Sequence, residues 1–171
     1  MKKIIIRNGL YGVALITIIS LATYFLYRNK PNYEVQEAIG YATIVVSLLF
    51  VYFGIRQWRD TVNSGRLTFG RGLWIGTLIS LFPSVAFGLF SWIEMSYLDP
   101  EFSDRYYKHY IEKVKRSTPP GELDAALKKI AQDQKMFSNP FAQFFLMFLT
   151  VFIIGFIILI ISALILRRNK P

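Results

Sequence analysis

The 171-residue chain has 20 lysine and arginine residues against 11 acidic ones, giving a net charge of +9, and 53% of its residues are apolar. The absence of cysteine and the single histidine exclude disulfides, thiol nucleophiles, and metal sites built from cysteine or histidine clusters. Only 18% of residues are charged, and they fall in blocks between long uncharged runs, which is typical of a membrane protein rather than a nucleic-acid-binding one.

Four apolar runs predict four transmembrane helices, over about residues 8–27, 38–55, 73–95 and 141–166. Roughly 20 apolar residues in a helix cross about 30 Å of hydrocarbon. In that medium each backbone polar group must be paired internally, as a helix does. The first run is longer than a signal peptide's apolar region and ends in bulky residues, so we expect an uncleaved helix. We interpret residues 1–171 as a single all-α membrane domain.

The distribution of basic residues predicts the orientation of these helices. The N-terminus, the loop between the second and third runs, and the C-terminus together hold ten basic residues and one acid, Asp60. The positive-inside rule places such segments in the cytoplasm. Four crossings also require both termini on one side. We therefore expect a multi-pass protein of the bacterial inner membrane, with cytoplasmic N- and C-termini.

Residues 96–140 form a long loop, which this orientation places outside the cytoplasm. Its charges are nearly balanced, with eight basic and seven acidic residues. Phe102, Tyr106 and Tyr110 recur at four-residue spacing, which predicts an amphipathic helix. A break at Thr118–Gly121 is followed by a second amphipathic stretch with apolar residues Leu123, Leu127, Ile130 and Ala131 on one face. We predict an extracytoplasmic helical hairpin between the third and fourth transmembrane helices.

The third run has a repeat of small residues every four positions, which places them on one helix face. Small residues let helices approach closely within lipid. Two interpretations stay open: packing within the four-helix bundle, or a homodimer interface. Pro83 lies in the same run and should kink the helix, because proline lacks an N–H group. The helix-packing candidates are Gly72, Gly76, Ser80, Ser84 and Gly88.

Glu94 is the one ionisable residue inside a predicted span, close to its outer end. An intramembrane carboxylate is a candidate for function, but this one is near enough to the interface to be an ordinary interfacial acid. Together with Asp99, Glu101 and Asp104 it could form an acidic cluster of an enzyme acting on lipid or envelope substrates. The simpler account of those three acids is favourable charge at a helix N-terminus.

No motif for a catalytic nucleophile, a metal or a nucleotide is present, so we predict neither a catalytic site nor a cofactor. The basic residues of the loop between the second and third runs are placed to contact anionic lipid headgroups on the cytoplasmic side, which accounts for the positive charge without nucleic acid. These anionic-lipid candidates are Arg56, Arg59, Arg66 and Arg71.

Several segments resemble the bacterial family catalogued as domain of unknown function 4199, in order and over essentially the whole chain. They include MKKIIIRNGL, EAIGYATIVVSLLFVYFGIRQWRD, NSGRLTFGRGLWIG, FSNPFAQFF and LIISALILRRNK. The resemblance implies a multi-pass bacterial membrane protein of about this size. It implies no reaction, ligand or catalytic residue.

The sequence thus predicts a non-enzymatic accessory or assembly subunit that acts through contacts with a membrane protein partner or a second copy. A small oligomeric transporter or channel component is the alternative, suggested by Pro83 and Glu94. Four helices are few for a transport path, so that alternative requires an oligomer.

Overall fold

The computed structural model describes residues 1–168; Asn169–Pro171, including Lys170 of the basic C-terminal segment, lie outside the described residues. The described chain is all-helical, with six α-helices and a short π-helical turn, residues Glu94–Leu98, that directly follows the third helix. The α-helices are α1 (Lys2–Tyr27), α2 (Tyr33–Thr61), α3 (Phe69–Ile93), α4 (Phe102–Ser117), α5 (Pro120–Phe137) and α6 (Pro140–Leu166).

Four of these helices are long and apolar enough to cross a membrane: α1, α2, α6, and α3 together with its π-helical turn. The prediction of four such helices is confirmed. α1, α2 and α3 begin before the predicted apolar runs, because helical hydrogen bonding does not stop where polar residues begin. The Asn32 side chain, for example, accepts a hydrogen bond from the Val35 backbone N–H at 3.2 Å and so caps α2 ahead of its apolar run.

The described chain divides into two compact units, residues 1–87 with 147–168, and residues 88–146. The first unit holds the main apolar core. Leu48, Val51, Ile55, Ile75 and Leu159, from α2, α3 and α6, are fully buried there. Lipid provides no hydrophobic drive for helices to associate, so close packing of these side chains has to hold the helices together.

α1 packs against α2 within the first unit. Its buried residues lie in the N-terminal part of the helix, from Ile4 to Ile16. Two glycines permit the approach. A Cβ at Gly12 would lie 3.2 Å from the backbone oxygen of Ser47, and one at Gly9 would meet the Phe82 ring of α3. α1 is thus fixed to the bundle mainly along its first half.

The second unit contains α4 and α5, which contact each other. The Gln134 side-chain amide of α5 donates to Asp104 of α4 at 3.3 Å. Burial raises the pKa of Tyr107 above its usual value, and the nearby Asp133 carboxylate adds to the shift. Since Asp133 lies on α5, this face of α4 is turned towards α5. Two helices are therefore present within residues 96–140, as predicted, and they contact each other.

The apolar face predicted for α5 is partly correct. Ile130 is buried, and Leu123 and Leu127 are half-buried, but Ala131 is exposed. A step of four residues from Ile130 reaches Gln134, and a further step of three reaches Phe137; both are half-buried. The buried stripe therefore continues from Ile130 through these two residues rather than through Ala131.

Candidate functional site

The small residues of α3 lie against neighbouring helices of the same chain. A Cβ added at Gly72 would lie 2.9 Å from the Ala163 Cβ, and one at Gly76 would lie 2.9 Å from the Leu159 Cβ. A Cβ at Gly155 would lie 3.0 Å from the Ser80 Cβ. Advancing four residues along α3 therefore moves the contact four residues back along α6. The antiparallel helices fit by placing small residues at their crossing points.

The two serines of this face satisfy their hydroxyl groups within α3. Ser80 and Ser84 are fully buried. The Ser80 hydroxyl donates to the Thr77 carbonyl oxygen at 3.0 Å, and the Ser84 hydroxyl donates to the Ser80 carbonyl oxygen at 2.8 Å. In this setting the serines act as small, internally paired residues that allow close approach.

Gly88, the fifth member of the repeat, belongs to the second unit. Its Cβ would lie 2.9 Å from both the ring and the backbone oxygen of Phe144 on α6. Gly72, Gly76, Ser80 and Gly88 therefore each face a residue of α6. α6 of the same chain therefore occupies these contacts.

Pro83 is buried within α3, and the helix continues as an α-helix on both sides of it. A Cβ at Gly12 of α1 would lie 3.5 Å from the Pro83 ring. The ring thus faces α1 across a small residue. This contact gives Pro83 a place in the packing of α1 in addition to any bend that it imposes on α3.

Glu94 is half-buried and opens the π-helical turn that ends the third candidate span. The Asp99 backbone N–H donates to the Glu94 carbonyl oxygen at 2.7 Å and closes this turn. π-Helical turns are rare and are often found at functional sites. The predicted span gave no indication of this turn, because its apolar pattern continues through it.

The other acids of the predicted cluster bind side chains of the helix pair. Arg105 forms ion pairs with Asp99 and with Glu101, the latter at 3.4 Å. Asp104 accepts the hydrogen bond from Gln134 described above. These contacts fix the start of α4 relative to the turn before it. The structure therefore gives Asp99, Glu101 and Asp104 partners within the helix pair.

A buried polar contact that sequence reasoning missed joins α1 and α2. Asn8 is 5% exposed, and its amide group donates to the Ile4 carbonyl oxygen at 2.8 Å and to the Gln57 side-chain oxygen at 3.2 Å. Gly54 makes room for it, since a Cβ there would lie 3.3 Å from Asn8. Asn8 is the first residue of one predicted apolar run, and Gln57 lies beyond the end of another. Neither was therefore predicted as an intramembrane polar residue.

The predicted lipid-contacting arginines lie where α2 ends and α3 begins. Arg59 pairs with Asp60 at 2.6 Å, and Arg56 is 3.7 Å from the same carboxylate. The Arg71 guanidinium lies 5.6 Å from the centroid of the Trp58 ring. Arg66 is exposed in the α2–α3 connection. The structure thus places all four at one end of the first unit but gives them different partners.

A backbone bridge attaches the end of α6 to this region. Leu67 and Arg168 exchange two backbone hydrogen bonds, at 3.0 and 3.1 Å. An Arg59 guanidinium N–H also reaches the carbonyl oxygen of Leu166 at 3.5 Å, near the C-terminus of α6. A positive charge there offsets the partial negative charge of the helix C-terminus. The residues just after α6 are therefore fastened beside the α2–α3 connection.

Over residues 1–168 these features define an all-helical fold with four helices long and apolar enough to cross a membrane. The chain belongs to the family described as protein of unknown function (DUF4199), whose model matches residues 7–168, nearly the whole chain. The resemblance found in the sequence is confirmed. No curated protein and no solved structure matches the chain.

Proposed function

We propose that the protein is a multi-pass subunit of the bacterial inner membrane, with both termini in the cytoplasm. The α2–α3 connection then lies inside and the α4–α5 pair outside. The observation that supports this orientation is the gathering of Arg56, Arg59, Arg66, Arg71 and Arg168 at one end of the first unit. Basic segments beside spans favour the cytoplasmic side.

The orientation can be tested directly because the chain contains no cysteine. We expect a membrane-impermeant maleimide to label Gly121→Cys in intact spheroplasts and to label Ser64→Cys only after the membrane is opened. Both positions are exposed. Labelling of both positions at the same stage would contradict the orientation, and so would the reverse order.

The function that we propose for this subunit is non-enzymatic: it assists or assembles a membrane complex through contacts. The support for this proposal is that the polar side chains of α3 and those near α4 bind groups of the same chain. The hydroxyls of the α3 face bond their own helix, and three acids near α4 are tied to Arg105 and Gln134. The α4–α5 pair also has exposed apolar side chains on its surface, including Tyr110 and Met136. Such side chains suit contact with a protein.

Single cysteines also test this function. We expect a short bifunctional maleimide, applied to native membranes, to join Tyr110→Cys or Met136→Cys to a membrane protein or to a second copy. Ile165→Cys is the control, because Ile165 is at least as exposed as Tyr110 and Met136 but lies on the apolar surface of α6. Adducts equally abundant at all three positions would indicate random collision and contradict a specific contact.

The alternative, a small oligomeric transporter or channel component, draws its support from Glu94. This carboxylate is half-buried at the end of a candidate span, where the helix changes to a π-helical turn. Liposome flux that disappears with Glu94→Gln, in a protein that forms no specific adduct through α4 or α5, would favour the alternative over the accessory role.

A further inference from the structure

The end of the first unit gathers basic side chains from three separate parts of the sequence. Arg56 and Arg59 come from α2, Arg66 and Arg71 from the α2–α3 connection and the start of α3, and Arg168 from the segment after α6. The Leu67–Arg168 bridge joins the last of these to the others. Arg59 and Arg56 lie 2.6 and 3.7 Å from the Asp60 carboxylate, so these two share one acid.

One arginine of this set has a structural role. Arg59 binds Asp60 through two nitrogen atoms, at 2.6 and 3.1 Å, and also reaches the Leu166 carbonyl oxygen. Its side chain is only 16% exposed. The N–H donors of the Arg59 guanidinium therefore bind groups of the protein itself, and the positive charge of Arg59 balances the negative charge of Asp60.

Arg66, Arg71 and Arg168 are exposed, and no ion pair is seen for them within residues 1–168. Arg66 follows a fixed turn, in which the Asn63 amide donates to the Arg66 carbonyl oxygen at 2.8 Å. The Arg71 guanidinium lies over the ring of Trp58, a residue that is 6% exposed. Arg168 is positioned by its backbone bridge to Leu67. Each is exposed, yet each is anchored by an ordered neighbour.

We propose that Arg66, Arg71 and Arg168 form a binding site for the phosphate of an anionic glycerophospholipid. Guanidinium groups bind phosphate oxygens through paired N–H donors, which fits them to this ligand better than a lysine would. The site lies at the ends of three candidate spans, where phospholipid headgroups are found, and Trp58 is a residue type that prefers this depth. The inference rests on the membrane placement proposed above. It assigns Arg59 to structure and Arg66, Arg71 and Arg168 to the lipid.

Lipid binding by the full chain in a neutral detergent tests this site. Phosphatidylglycerol and phosphatidylcholine would be titrated separately, and bound lipid counted by native mass spectrometry. We expect Arg66→Gln/Arg71→Gln/Arg168→Gln to bind phosphatidylglycerol about 100-fold more weakly than the unaltered protein, with little change for phosphatidylcholine. The matched control is Lys2→Gln/Lys3→Gln/Arg7→Gln, which removes the same charge from another basic segment.

Three outcomes would overturn the proposal. Equal losses in the two triple variants would show attraction to overall charge rather than a site. Displacement of the lipid by millimolar inorganic phosphate would show that the ligand is a soluble anion. The variant Arg66→Lys/Arg71→Lys/Arg168→Lys keeps the positive charge and can be used if the glutamine variant fails to fold. Undiminished lipid binding by this lysine variant would show that the guanidinium groups are not required. Lipid binding in detergent does not depend on the orientation of the protein in a membrane. A failure of this test can therefore be distinguished from a failure of the maleimide-labelling test of orientation.

Discussion

Gly76→Leu is expected to destabilise the protein by about 1–3 kcal/mol or more, the usual cost of forcing extra atoms into a packed core. The Cβ alone would lie 2.9 Å from the Leu159 Cβ, and 3.2 Å from both Ile55 and Val51. Three helices meet at this point, so the remaining three carbons of leucine can enter only if the helices separate. The measurement is the midpoint of unfolding of the detergent-purified protein.

Gly40→Leu is the matched control for this prediction. Gly40 also lies within a candidate span, in α2. Apart from its chain neighbours and the adjacent backbone of α2, no atom lies within 4 Å of the position that a Cβ would take there. Glycine is a poor helix former, so leucine there should leave stability unchanged or raise it by about 0.5–1 kcal/mol. If Gly40→Leu lost as much stability as Gly76→Leu, the cause would be the replacement of glycine by leucine in a helix and not the contact with α6.

The spans could be predicted from the sequence because the signal is contained within each one. A run such as 141–166 has no charge over its whole length, and no alternative structure satisfies its backbone in lipid. The α3 repeat could be found for the same reason. The residues that face this repeat could not be predicted. Gly155 and Ala163 face Ser80 and Gly72, but the sequence of one helix does not determine its register against another.

The contacts that sequence reasoning missed join residues far apart in the chain. Asn8 and Gln57 each looked like the polar edge of an apolar run, and only the pairing of α1 with α2 brings them together. The bridge from Leu67 to Arg168 joins the middle of the chain to its end and lies outside every periodic segment. The π-helical turn at Glu94 was missed because it changes backbone hydrogen bonding without changing the apolar pattern.

Leu67→Ala is expected to destabilise the protein by about 2–5 kcal/mol, the range for removing a buried leucine side chain. Leu67 is 1% exposed although it lies in a connection between helices. Its side chain is close enough to α3 that a Cβ at Gly72 would lie 3.5 Å from its Cδ2 atom. The backbone of the same residue holds Arg168. Loss of the side chain should therefore free the segment after α6 as well as weaken the core.

Hydrogen exchange separates these two effects, because the Leu67 and Arg168 amides donate to each other's carbonyl oxygens. In Leu67→Ala we expect both amides to exchange faster, by a larger factor than amides in the middle of α6. Val62→Ala is the control: it removes an exposed side chain of the same connection and should change stability by less than about 0.5 kcal/mol. If the Arg168 amide keeps its protection in Leu67→Ala, the buried side chain does not fasten the bridge. The arginine site would then need another support for Arg168.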